Sequence, residues 1–113
     1  MDKKVSEAWV KQEIKKILKA KGVWYFMPAM NGFGRAGIPD FICCVSGTLL
    51  GIEAKAGSNR ATEMQKAELE AIKLAGGVAI VINEKSLRVL SDLVDSLHSI
   101  GEANHADRQH PSE

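Results

Sequence analysis

The chain has 113 residues, 45% of them hydrophobic and 26% charged, with a net charge of +1. That fits one domain with one hydrophobic core, and no apolar run nears the ~20 residues of a membrane span. Residues 1–60 hold ten Lys/Arg and five Asp/Glu while residues 61–113 hold five and nine, so a basic half suited to a polyanion is masked by an acidic one. A Lys-rich, helical N-terminus without a signal-peptide core leads to the expectation of a cytoplasmic protein.

Val10, Ile14, Ile17 and Leu18 recur at helical spacing and predict an amphipathic helix from about Val5 to Lys21, ended by Gly22. Val23 to Met27, β-branched and aromatic, reads as a strand closed by Pro28. Asn31–Gly37, with three glycines in seven residues, reads as a loop, and Phe41–Val45 and Leu49–Lys55 as a hairpin turning at Ser46-Gly47. The adjacent Cys43 and Cys44 point to opposite faces of their strand, are poor partners for each other, and read as small buried thiols.

A second helix is expected from Thr62 to Ala75, a short apolar strand at Val78–Ile82, and a third helix from Ser86 to about Ile100. From Gly101 the periodicity stops, which predicts a domain over 1–100 and a mobile tail over 101–113, whose His105 and His110 lack a framework for holding metal. The order α-β-β-β-α-β-α implies an α/β domain with a small mixed sheet flanked by helices.

The chemistry concentrates between Pro39 and Lys55. A two-residue turn at Ser46-Gly47 sets Val45 against Thr48, and counting outward sets Asp40 against Glu53. Glu53 and Lys55 are two apart and share a strand face with Asp40. Two carboxylates at ~4.5–5.5 Å between Cβ atoms repel unless a positive charge lies between them, and a divalent cation meets that need. The plainer readings are a Pro-Asp turn bonded to local backbone and a solvated strand face. Two more polar residues fall on apolar faces. Glu7 lies on the stripe of Val10, Ile14 and Leu18, either as a metal ligand or as a favourable charge at a helix start. Gln65 lies on the stripe of Leu69 and Ile72, either in the site or closing a capping box with Thr62.

Gly37-x-Pro39-Asp40, then Glu53-x-Lys55, then Gln65, with Glu7 in the first helix, resembles the PD-(D/E)XK nuclease superfamily and within it the VRR-NUC domain. The resemblance runs from about Glu7 to Ile82 and is to the stand-alone form. It implies a restriction-endonuclease-like core, Mg²⁺ or Mn²⁺ held by Asp40, Glu53 and Glu7, Lys55 serving the attacking water as base or as positioner, and a role similar to Holliday-junction resolvases.

All-oxygen ligation, without His or Cys at zinc spacing, also favours Mg²⁺ or Mn²⁺. Arg35 and Asn31 in the glycine loop are expected phosphate contacts, with Lys11, Lys15, Lys16 and Lys19 adding backbone contacts. The loop lacks the Lys-Ser/Thr of a P-loop, so no nucleotide cofactor is expected. The implied partner is branched DNA read by shape, and the two nicks of a two-fold-symmetric junction suggest a homodimer, with the last helix and Val78–Ile82 as candidate interface elements. Cleavage of flaps, nicked duplex or a specific site by the same chemistry, and DNA binding without catalysis, are the alternatives.

Overall fold

A computed structural model describes residues 4–29 and 35–108, with side chains to 103. Seven elements follow in chain order: α1 (Glu7–Ala20), β1 (Trp24–Phe26), β2 (Phe41–Val45), β3 (Thr48–Ala54), α2 (Glu63–Leu74), β4 (Val78–Ile82) and α3 (Leu87–Arg108). The strands form one mixed sheet in the order β1-β2-β3-β4, as the expected α/β pattern requires. β1–β2 and β2–β3 are antiparallel, and β3–β4 is parallel because α2 carries the chain back across the sheet.

The hairpin has the expected register, Val45 against Thr48 and Phe41 against Ile52. Ser46 (φ 49°) and Gly47 (φ 87°) both adopt the left-handed conformation of a two-residue turn that suits strand twist. Alternation then sorts the side chains. Phe41, Cys43, Val45, Leu50, Ile52 and Ala54 point into the core with Val10, Ile14 and Leu18 of α1 and Leu90, Val94 and Leu97 of α3. The other face takes α2, whose Ile72 lies so near Gly51 that a Cβ there would come within 2.8 Å of its Cδ1.

Ser6 caps α1, its Oγ accepting from Trp9 N at 3.0 Å, so the first helix starts two residues later than its apolar pattern implied. Cys43 is buried, and burial pushes its thiol up to about 12; Cys44 is exposed, so the expectation of two buried thiols holds for one. The third helix also differs from expectation. It runs past Gly101 to Arg108 where an aperiodic tail was expected. Gly101 there is a packing residue and not a stop, since a Cβ on it would collide with Ser46. No helix among the described residues is long and apolar enough to cross a membrane.

Gly37 (φ 85°) sits where a Cβ would come within 2.5 Å of the Met64 carbonyl oxygen, so it fixes how closely α2 approaches the strand bearing the carboxylates. Gly47 has nearly the same φ but open space around it. Gly47→Ala should therefore cost only the left-handed strain, about 1–2 kcal/mol, and Gly37→Ala clearly more, because backbone must move. Urea denaturation of both variants checks this, and equal losses would refute the packing role of Gly37.

Candidate active site

The site forms where the start of β2, the end of β3 and the first turns of α1 and α2 converge. Asp40, one residue before β2, continues the hairpin register to a position across from Glu53. Its Oδ2 accepts a hydrogen bond from Ala54 N at 2.8 Å, which ties the loop to the opposing strand and aims the carboxylate along it. The plainer reading, a turn bonded to local backbone, is not what forms: the partner lies fourteen residues away on the facing strand.

Glu53 is 2% exposed, the sole charged residue in the buried set of the described chain. Its Oε2 accepts from Gln65 Nε2 at 3.0 Å and lies 3.4 Å from Lys55 Nζ, whereas its Oε1 is buried with no hydrogen-bond partner. An acceptor buried without a partner costs roughly 1–3 kcal/mol, more if charged. Burial first, then the charge of Asp40, raises the Glu53 carboxyl to about 7, with Lys55 opposing both.

Gln65 closes the expected capping box and also reaches Glu53. Its backbone N–H donates to Thr62 Oγ1 at 3.2 Å and its Oε1 accepts from Thr62 N at 2.8 Å, closing the capping box, while the amide nitrogen of the same group reaches Glu53. The capping box therefore orients a site residue, since a carboxamide pinned through its oxygen presents its NH₂ in a fixed direction.

Glu7, expected on a buried stripe, lies at the open N-terminal end of that stripe with a side chain 39% exposed. It nevertheless reaches the site, Oε1 at 4.0 Å from Lys55 Nζ and Oε2 at 3.7 Å from Lys11 Nζ. Lys11 also lies 3.5 Å from Asp40 Oδ1. The charges thus alternate in a chain: Asp40, Lys11, Glu7, Lys55, Glu53. Lys11 was expected on an outer DNA-binding surface, and the structure places it between two carboxylates. The i,i+4 spacing signals the pairing with Glu7, whereas nothing in the sequence signals the contact with Asp40.

Lys15 stands one turn further along α1, half-buried and in no ion pair among the described residues. Arg35 is exposed and held by Glu68, Nε donating to Oε2 at 2.6 Å and Nη2 to Oε1 at 2.7 Å, and this bond keeps the Glu68 carboxyl below its usual range. As a phosphate contact, Arg35 would first have to share or leave Glu68, a partner that sequence spacing did not reveal. Asn31 lies outside the described residues, as does His110. Beside Glu7 an open cleft of about 530 Å³ is lined by Lys4, Ser6, Gly57, Asn59 and Glu84 among others.

The donor set suits a hard divalent cation, since Asp40, Glu53 and Glu7 offer only carboxylate oxygen and Glu53 Oε1 has no competing hydrogen bond. Among the described residues, however, no three acidic, His or Cys side chains are gathered closely enough to ligate together, and two ammonium groups stand among the carboxylates. No protein-family model, curated protein or solved structure matches this chain.

The Glu53 carboxyl predicts how stability varies with pH. Its folded value near 7 lies above the ordinary 4.5, so between those values the folded chain binds more protons than the unfolded one. Stability attributable to Glu53 is therefore present at low pH and lost as pH rises through about 7. Glu53→Gln should flatten this part of the profile and, measured without divalent cations, leave the protein more stable than wild type at pH 8, by on the order of 1–3 kcal/mol. Denaturation at pH 5 and pH 8 in EDTA checks the sign.

Proposed function

We propose that this chain is a Mg²⁺- or Mn²⁺-dependent DNA endonuclease of the PD-(D/E)XK type, acting on branched DNA such as four-way junctions as a homodimer. The observation that carries the reading is the buried, unpartnered Glu53 Oε1 opposite Asp40, with Lys55 on the same face. Nothing in packing requires three ionisable groups there, and their removal from water is unfavourable unless they serve a bound species.

In this reading Asp40, just before β2, and Glu53 on β3 would hold the cation, and Glu7 would close the set from α1. The cation would polarise the scissile phosphoryl group and acidify a water. Lys55 Nζ, 12% exposed by its side chain and within 4.0 Å of both Glu53 and Glu7, serves the attacking water from a fixed position. Gln65 fixes the Glu53 rotamer through Oε2 and leaves Oε1 free to ligate. The open cleft beside Glu7 offers a path for a phosphodiester strand, and the basic half of the chain supplies contacts that do not read bases. Trp24, Cys44 and Leu49 form one cross-strand row that is exposed, next to the exposed Phe26, an apolar surface of the kind a second copy would cover.

A nicking assay on four-way junction, flap, splayed-arm and linear duplex DNA tests the reading. Wild type should cut with Mg²⁺ or Mn²⁺ and not in EDTA. Asp40→Asn and Glu53→Gln should bind DNA without cutting, and Lys55→Ala should cut ~10²–10⁴-fold more slowly. Cutting that survives thorough metal removal would refute the metal mechanism. A monomer in light scattering that nicks linear duplex as fast as junctions would refute the junction assignment alone.

A further inference from the structure

Resting on the reading of these carboxylates as a cation site, we propose that Lys11 is the internal counter-ion of the metal-free site: its ammonium must leave Asp40 and Glu7 for a divalent cation to bind. The two lysines of the site differ in what they can do. Lys55 is enclosed, its side chain 12% exposed, with Glu53 and Glu7 both in reach. Lys11 is 30% exposed and bridges Asp40 Oδ1 at 3.5 Å and Glu7 Oε2 at 3.7 Å, both loose ion-pair distances. It is a side chain of α1 and Asp40 lies in the loop just before β2, so swinging outward breaks no secondary structure. Asp40 meanwhile stays aimed at the site by the Ala54 N–H on its other oxygen.

Two positive charges cannot share one pair of carboxylates without mutual repulsion, so Lys11 and a divalent cation compete for Asp40. A phosphate approaching the site offers the displaced ammonium a new anionic partner. Lys11 therefore makes binding of cation and of phosphodiester mutually favourable: each releases what the other needs, and the coupling is reciprocal. Lys11 is a positioning residue in this scheme, acting on the carboxylates and not on the reacting atoms.

The test is Mn²⁺ titration of the intact DNA-free protein at low ionic strength, with thermal denaturation in EDTA alongside. Lys11→Met keeps the length of the side chain without its charge and should bind Mn²⁺ more tightly than wild type, by about fivefold, the scale of a half-exposed ion pair. Lys11→Arg should restore wild-type affinity, and Lys15→Met, which removes a lysine one turn away, should leave it unchanged. A merely structural role for Lys11 would alter the melting temperature without tightening Mn²⁺ binding. Equal or weaker affinity in Lys11→Met, with wild type binding normally, would overturn the proposal and leave the cation site standing. Absence of Mn²⁺ binding in wild type and every variant would overturn both.

Discussion

A carboxylate withdrawn from water onto a sheet face, opposite a second carboxylate, is the constraint around which this fold is arranged. Glu53 is 2% exposed and carries one oxygen with no hydrogen-bond partner. Its neighbours are accounted for by that burial. Gly51 and Gly37 have no side chains because α2 must come down onto β3 and onto the loop before Asp40. That approach covers Glu53 and brings Gln65 within hydrogen-bond reach of it. The helix start is in turn fixed by the Thr62 capping box, so local capping, close packing and the orientation of the buried acid form one chain of causes.

The same constraint explains the lysines. Burying two acids side by side is tolerable in the folded chain only if positive charge is nearby, and Lys55 and Lys11 supply it from the strand and from α1. Their grips differ: Lys55 is enclosed just past the end of β3, between Glu53 and Glu7, and Lys11 is held by two long contacts at a helix surface. Two ammonium groups thereby offset part of the charge of three carboxylates without saturating them, since Glu53 Oε1 still lacks a partner. A site left in that condition is less stable than an apolar patch of equal size would be, a cost that proteins accept at functional positions.

How much of this was legible in the sequence follows from the range of each interaction. The hairpin register rests on a two-residue turn, a local rule, and that rule alone sets Asp40 across from Glu53. The capping box was equally local; that its glutamine also reaches Glu53 followed only from the helix stripe. Interactions between elements distant in sequence were not legible. Lys11 looked like one solvated lysine among several, because its bond to Asp40 depends on how α1 crosses the sheet. The Arg35–Glu68 pair joins a loop to a helix 33 residues away. Gly101 carried the opposite meaning from the usual one: a glycine after a periodic stretch suggests a stop, yet here it lets α3 pass close to the Ser46 turn. Glu7 was placed on the correct stripe, but the stripe ends at solvent, which a helical wheel does not show.

If a divalent cation completes the Asp40–Glu53 pair, as proposed above, it should stabilise the DNA-free protein at pH 8. A ligand that binds only the folded state raises stability in proportion to the logarithm of its concentration above the dissociation constant. Millimolar Mg²⁺ or Mn²⁺ should raise the wild-type melting temperature by several degrees relative to EDTA and leave Glu53→Gln nearly unmoved. No shift in wild type, or the same shift in both proteins, would contradict the account.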